Sequence, residues 1–167
     1  QKAKICYEKA IEIDPNDAKS YNNLGNIYKE LGENLKAKDY FIKAIETDSS
    51  IAVSYANLGL VYNELKDYQN AKIFFEKAIE IDPNHPYAHN NFLKSLYQLD
   101  DQSILFKELD SITKEGKMNA VIGSIFSRAN VKYGFKKENP FCNDPLDYLS
   151  KIDLTEKYDF KNMVVDC

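Results

Sequence analysis

Apolar residues recur at three- and four-residue spacing along the chain up to Tyr133, in blocks separated by short polar turns. This periodicity predicts helices near 2–13, 17–31, 35–47, 51–65, 69–81 and 86–99, then near 102–115 and 119–133. The intervening turns carry Asp-Pro, Asn, Gly or Ser, residue types that stop one helix and begin another. In the helix near 119–133, Val121, Ile122, Ile125, Phe126 and Ala129 fall on one face. Beyond Gly134 the pattern is lost. Residues 136–145 are rich in turn formers and prolines, and after a short helical stretch at Leu146–Lys151 the chain reads as irregular.

The blocks are copies of one another. Tyr21-Asn22-Asn23-Leu24-Gly25 returns thirty-four residues later as Tyr55-Ala56-Asn57-Leu58-Gly59. Ala37, Phe41 and Ala44 are matched by Ala71, Phe75 and Ala78, and one period earlier by Ala3, Tyr7 and Ala10. A fixed period of this length marks a helical hairpin repeated along a solenoid. Gly25 and Gly59 lie in helix interiors, where glycine costs about 1 kcal/mol relative to alanine, so a neighbour must pass too close to admit a side chain. Tyr21, Tyr28, Tyr55, Tyr62, Phe41 and Phe75 are expected to fill the gaps between helices. Pro15 and Pro83 end their helices; Ser49 takes that place in the second repeat, which predicts a looser turn.

The order of aromatic, Leu-Gly, Tyr, Ala, aromatic, Ala and Pro resembles the tetratricopeptide repeat. The resemblance implies an all-α fold, an α-solenoid of helix-turn-helix repeats with C-terminal capping helices and an irregular tail. Repeats would occupy 1–100, the first incomplete and the last degenerate, with caps at 101–134 and a tail or linker at 135–167. In the degenerate repeat His89 replaces the tyrosine, Phe92 the leucine and Leu93 the glycine. Lys2 to Ile13 has the pattern of a second helix without its first, leaving Ile5 and Ile11 without their usual neighbours. A piece of a longer repeat array is therefore expected, with possible self-association through that helix. Residues 123–129 and 139–148 also resemble the connector of bacterial repeat proteins that carry a 2-oxoglutarate/Fe(II) oxygenase domain. That likeness implies an alternative role, as the substrate-presenting region of a larger oxygenase.

Composition narrows the classes. With 44% hydrophobic and 29% charged residues, the chain is a folded polypeptide and not a disordered one. No apolar run approaches the roughly 18 residues of a membrane helix, and charged Lys2, Lys4, Glu8 and Lys9 rule out a signal-peptide core at the start. A net charge of −4 disfavours nucleic acid as a partner. Cys6, Cys142 and Cys167 lack metal-ligand spacing, and a reducing cytoplasm is the simplest setting. An Fe(II) oxygenase needs two histidines and a carboxylate, but His85 and His89 stand four apart with no His-x-Asp/Glu. They read as a turn residue and a packing residue. No catalytic, cofactor or metal site is expected, and the chain is read as a non-enzyme.

The remaining chemistry lies on the first helix of each repeat. Asn23, Asn57 and Asn91 share one repeat position, and Asn22, Asn26, Asn63 and Asn90 add amides nearby. An amide donates and accepts, so it can pair with a peptide backbone in either direction. The row resembles the asparagine ladder in the repeats of O-linked N-acetylglucosamine transferases, which implies a concave surface holding extended polypeptide. Peptide-binding residues are accordingly assigned to Asn22, Asn23, Asn26, Asn57, Leu60, Asn63 and Asn91, with a protein or peptide as partner. The opposing reading is that these amides only support the stack. A clamp for acidic tails would need inward-facing cations, but Lys19 and Lys29 are followed one repeat later by Val53 and Asn63. Lysines and glutamates alternating on the second helices mainly serve solubility and helix pairing.

Overall fold

The computed structural model describes residues 2–85, 87–116 and 120–134. Among them are eight helices: α1 (Lys2–Ile13), α2 (Ala18–Glu30), α3 (Asn34–Thr47), α4 (Ala52–Glu64), α5 (Tyr68–Ile81), α6 (Ala88–Gln98), α7 (Gln102–Lys114) and α8 (Ala120–Tyr133). There is no strand among the described residues. The chain divides into two compact units, residues 1–106 and 107–167. In the first, each helix from α1 to α6 packs against the next, so α2/α3 and α4/α5 are hairpins of one row. In the second, α8 buries Ile122, Ile125, Phe126 and Ala129, four of the five residues expected on its apolar face, while Val121 is exposed. The tail and most of the connector-like stretch lie outside the described residues.

The repeat is built by its turns as much as by its helices. The first helix of each pair ends with a residue of positive φ: Gly32 at 76°, Lys66 at 60° and Asp100 at 57°. The next residue's N–H reaches back to the carbonyl five positions earlier, Glu33 to Tyr28, Asp67 to Tyr62 and Asp101 to Leu96. This satisfies carbonyls that a helix end leaves free. The second helix of each pair ends at an aspartate in extended conformation, as at Asp48 and Asp82. Its carboxylate accepts the N–H two residues on: Asn16 to Asp14 at 2.9 Å, Ser50 to Asp48 at 2.9 Å and Asn84 to Asp82 at 3.0 Å. The Ser49 turn therefore keeps the same geometry without a proline. Ser50 Oγ adds a bond to Asp48 at 2.7 Å, and the expected loosening is absent.

Packing explains the repeated residue types. An added Cβ on Gly25 would lie 2.6 Å from the Phe41 ring, and one on Gly59 would lie 2.8 Å from the Phe75 ring. The close neighbour is thus the ring of the paired helix. Ala37, Ala44, Ala71 and Ala78 are fully buried around these rings. Tyr28 stacks on Tyr40 with centroids 5.1 Å apart, and Tyr62 stacks on Phe74 at 5.3 Å, with Tyr21 and Tyr55 tilted alongside. Tyr40 and Phe74 also share a repeat position. Lys4 lies over the Tyr28 ring at 4.9 Å from the other side. On α1 no residue is fully buried; Ile5 is half exposed as expected, whereas Ile11 finds partial cover and Ile13 is the bare one.

Candidate functional site

Within the first unit, α2 touches α4 and α4 touches α6, while α3 and α5 show no comparable contact. The first helices of successive pairs therefore stand closer together and form the inner side of the row. On each of them, residues at i, i+4, i+7 and i+11 share one stripe. On α2 the stripe is Lys19, Asn23, Asn26 and Glu30, and on α4 it is Val53, Asn57, Leu60 and Glu64. Every one of these residues is half-buried or exposed. On α6 Asn91, Lys94 and Gln98 continue it, with Tyr87 at its N-terminal edge.

The candidate amides separate into two groups. Asn22 is buried, and its Oδ1 accepts from Asn57 Nδ2 at 3.1 Å and from Ser54 Oγ at 3.4 Å. Asn63 Oδ1 accepts from Ser95 Oγ at 2.9 Å. These bonds join α2 to α4 and α4 to α6, so they are the polar seam of the stack. Buried amides and hydroxyls without such partners would each cost about 1–3 kcal/mol. Asn91 donates to the Tyr87 carbonyl one turn back at 2.9 Å. By contrast, the Asn23 and Asn26 side chains have no hydrogen-bond partner among the described residues and remain partly open to solvent. Asn57 keeps its oxygen free after giving its N–H to Asn22. Leu60, also half-buried, sits one turn beyond Asn57. Ser54 and Ser95 were not among the expected residues. Ser54 shares its repeat position with Ser20 and stands fully buried in an apolar helix, which was the available signal.

The charges on this surface are largely local. Asp17 caps α2 by accepting from the Ser20 N–H at 3.1 Å and also holds the Ser20 hydroxyl. These bonds, first the one from the hydroxyl, keep its carboxyl below the usual carboxylate range. Asp48 is likewise depressed, mainly by Ser50, with the nearby Lys19 ammonium adding a smaller pull. Lys19 thus stands between Asp17 and Asp48, and its charge is offset within the chain. Among the described residues no group of three or more histidine, cysteine or carboxylate side chains could hold a metal ion.

Comparison with known proteins agrees with this architecture. Residues 6–39 and 52–85 each match a family model for the tetratricopeptide repeat. Both stretches are tetratricopeptide repeats. Its fold is similar to that of YrrB, described as a tetratricopeptide-repeat protein with an unusual peptide-binding site, at 26% identity and a TM-score of 0.68. That match covers 77% of this chain and 66% of YrrB. The first tetratricopeptide domain of Spaghetti (RPAP3), bound to an HSP90 peptide, matches at 17% identity and a TM-score of 0.66, covering 73% of this chain and 97% of that one. The second such domain of human RPAP3, in complex with an HSP70 peptide, matches at 18% identity and 0.62, covering 68% and 94%. No curated protein matches the chain. No helix among the described residues is long and apolar enough to cross a membrane.

Proposed function

We propose that this chain is a protein-interaction module that holds an extended peptide across α2, α4 and α6. The observation that carries the reading is the unused amides of Asn23 and Asn26 beside the free oxygen of Asn57, on the inner side of a tetratricopeptide array. Solved relatives with this fold hold peptides of HSP90 and HSP70. The stripe favours a ligand whose central side chains are uncharged and apolar. Val53, 41% exposed, and Leu60 occupy the middle of the surface, and Lys19 is offset by its own aspartates. Asn22 and Asn63 contribute by fixing the spacing of the helices, and Asn91 by its remaining carbonyl oxygen.

The test is binding of a fluorescent peptide library by the wild-type chain and by Asn23→Ala/Asn57→Ala. Each hydrogen bond contributes roughly 0.5–1.5 kcal/mol, so the pair should weaken a bound peptide by about tenfold or more. Helical content should persist. Unchanged affinity per folded molecule would assign the amides to the stack alone.

A further inference from the structure

The turn between α5 and α6 holds two imidazoles whose bonding is incomplete. His85 is only 8% exposed, and its Nδ1 is buried without a hydrogen-bond partner. His89, the second residue of α6, has Nε2 2.9 Å from the Pro83 carbonyl. A carbonyl only accepts, so Nε2 carries the proton, and Nδ1 of the neutral ring is a bare lone pair. That Nδ1 is buried without a partner too. A proton added to His89 would place a new N–H where nothing accepts it, and a charged His85 would hold an Nδ1–H without an acceptor whichever tautomer the neutral ring has; charging both would set two cations four residues apart. The repeat supplies its own comparison. At the position of His85 the earlier repeats carry Asp17 and Ile51, and at that of His89 they carry Tyr21 and Tyr55. Only the α6 repeat carries histidine at these seats.

We propose that His85 and His89 form a pH-sensitive latch, closed on α6 while both rings are neutral and opened by mild acid. Burial holds the His85 imidazole below the ordinary histidine range, Asp82 in the same turn opposes this in part, and His89 on α6 adds to it. Among the described residues the charges that bear on His85 are Asp82, at the end of α5, and His89, on α6. For a group depressed in the folded state, the stabilisation is complete above its unfolded value and is lost as pH falls through the lower folded value. Loosening therefore begins on the acid side of neutrality. Because α6 carries Asn91 and is flanked by Tyr87, an open latch would also dismantle one end of the peptide surface. That consequence rests on the function proposed above, whereas the latch does not.

The experiment is amide hydrogen exchange on the whole chain, corrected for intrinsic rates, at about pH 7.5 and about pH 5.5. The α6 amides should lose protection by about tenfold more than those of α2 and α4. His85→Ile/His89→Tyr, which copies the preceding repeat, should abolish the difference. Equal losses in all three helices, or a loss persisting in the double variant, would overturn the latch. NMR titration of the wild-type rings gives a check independent of the variant's folding. A His85 midpoint below 6.5 supports the proposal, and one at or above that value refutes it.

Discussion

Replacing Gly25 by alanine tests whether the glycine is there for contact or merely by default. In an unconstrained helix interior the change should stabilise by about 1 kcal/mol. Here the new methyl would lie 2.6, 2.7 and 2.9 Å from three carbons of the Phe41 ring, where carbon atoms normally rest at about 3.5–4.0 Å. The ring cannot swing away freely, because Phe41 is fully buried in a cluster with Tyr28, Ala37, Leu58 and Val61. Overpacking of this kind costs roughly 1–3 kcal/mol, which exceeds the helical gain over most of its range. The expected net loss is up to about 2 kcal/mol, read as a lower urea midpoint by far-UV circular dichroism. Gly59→Ala should lose less, since its nearest carbon is 2.8 Å away. In a Phe41→Leu background the penalty of Gly25→Ala should shrink or reverse, giving a coupling energy of at least about 1 kcal/mol. Stabilisation by Gly25→Ala in the wild-type background would refute the steric account.

Two further outcomes follow from the turns. Lys66 adopts positive φ where the first described repeat has Gly32, a conformation that costs most residues about 1–2 kcal/mol. Lys66→Gly should therefore raise stability by roughly 0.5–1 kcal/mol, and Asp100→Gly by less, since aspartate tolerates this region better; a shared fall in urea midpoint would contradict it. Lys72 bonds Asp101 at 2.9 Å, and that contact, ahead of the Ile104 N–H, keeps the Asp101 carboxyl below its usual range. Its stabilisation is present above the unfolded carboxylate value and disappears as pH falls through the folded one, so Asp101→Asn should cost about 1 kcal/mol at neutral pH and nothing in strong acid. Denaturation at several pH values measures both limbs.

The helices were legible because their residue types repeat at fixed offsets, and the repeated glycine and aromatic positions have the same packing role in each repeat. Gly25 and Gly59 read as close approaches from sequence, but not that the approaching group is the ring sixteen positions on, Phe41 or Phe75 in the second helix of the same hairpin. The positive-φ row was hidden because only Gly32 advertises it, whereas Lys66 and Asp100 adopt the same conformation under the pull of the repeat. The looser turn expected at Ser49 failed for a comparable reason: Asp48, not the proline, defines that turn through its bond to Ser50. Of the candidate surface, the shared row of Asn23, Asn57 and Asn91 was visible in the period alone. Its division into seam and open amides was not, since Ser54 and Ser95 decide it by reaching across to other helices.

That division bears on how the surface can be probed. Asn57 has a bond to keep within the stack, because one of its two amide N–H groups goes to Asn22 while its oxygen has no partner among the described residues. Its removal therefore strips a buried acceptor of a partner as well as any peptide contact, and affinity and stability fall together. Asn23 has no such bond, so Asn23→Ala should spare the stack and report on the ligand alone. It also keeps both amide N–H groups and its oxygen for a ligand, whereas Asn57 has one N–H already committed. A peptide lying across both can offer an N–H or a carbonyl at either residue, but Asn57, held by its bond to Asn22, fixes the register of the backbone more tightly than Asn23 does.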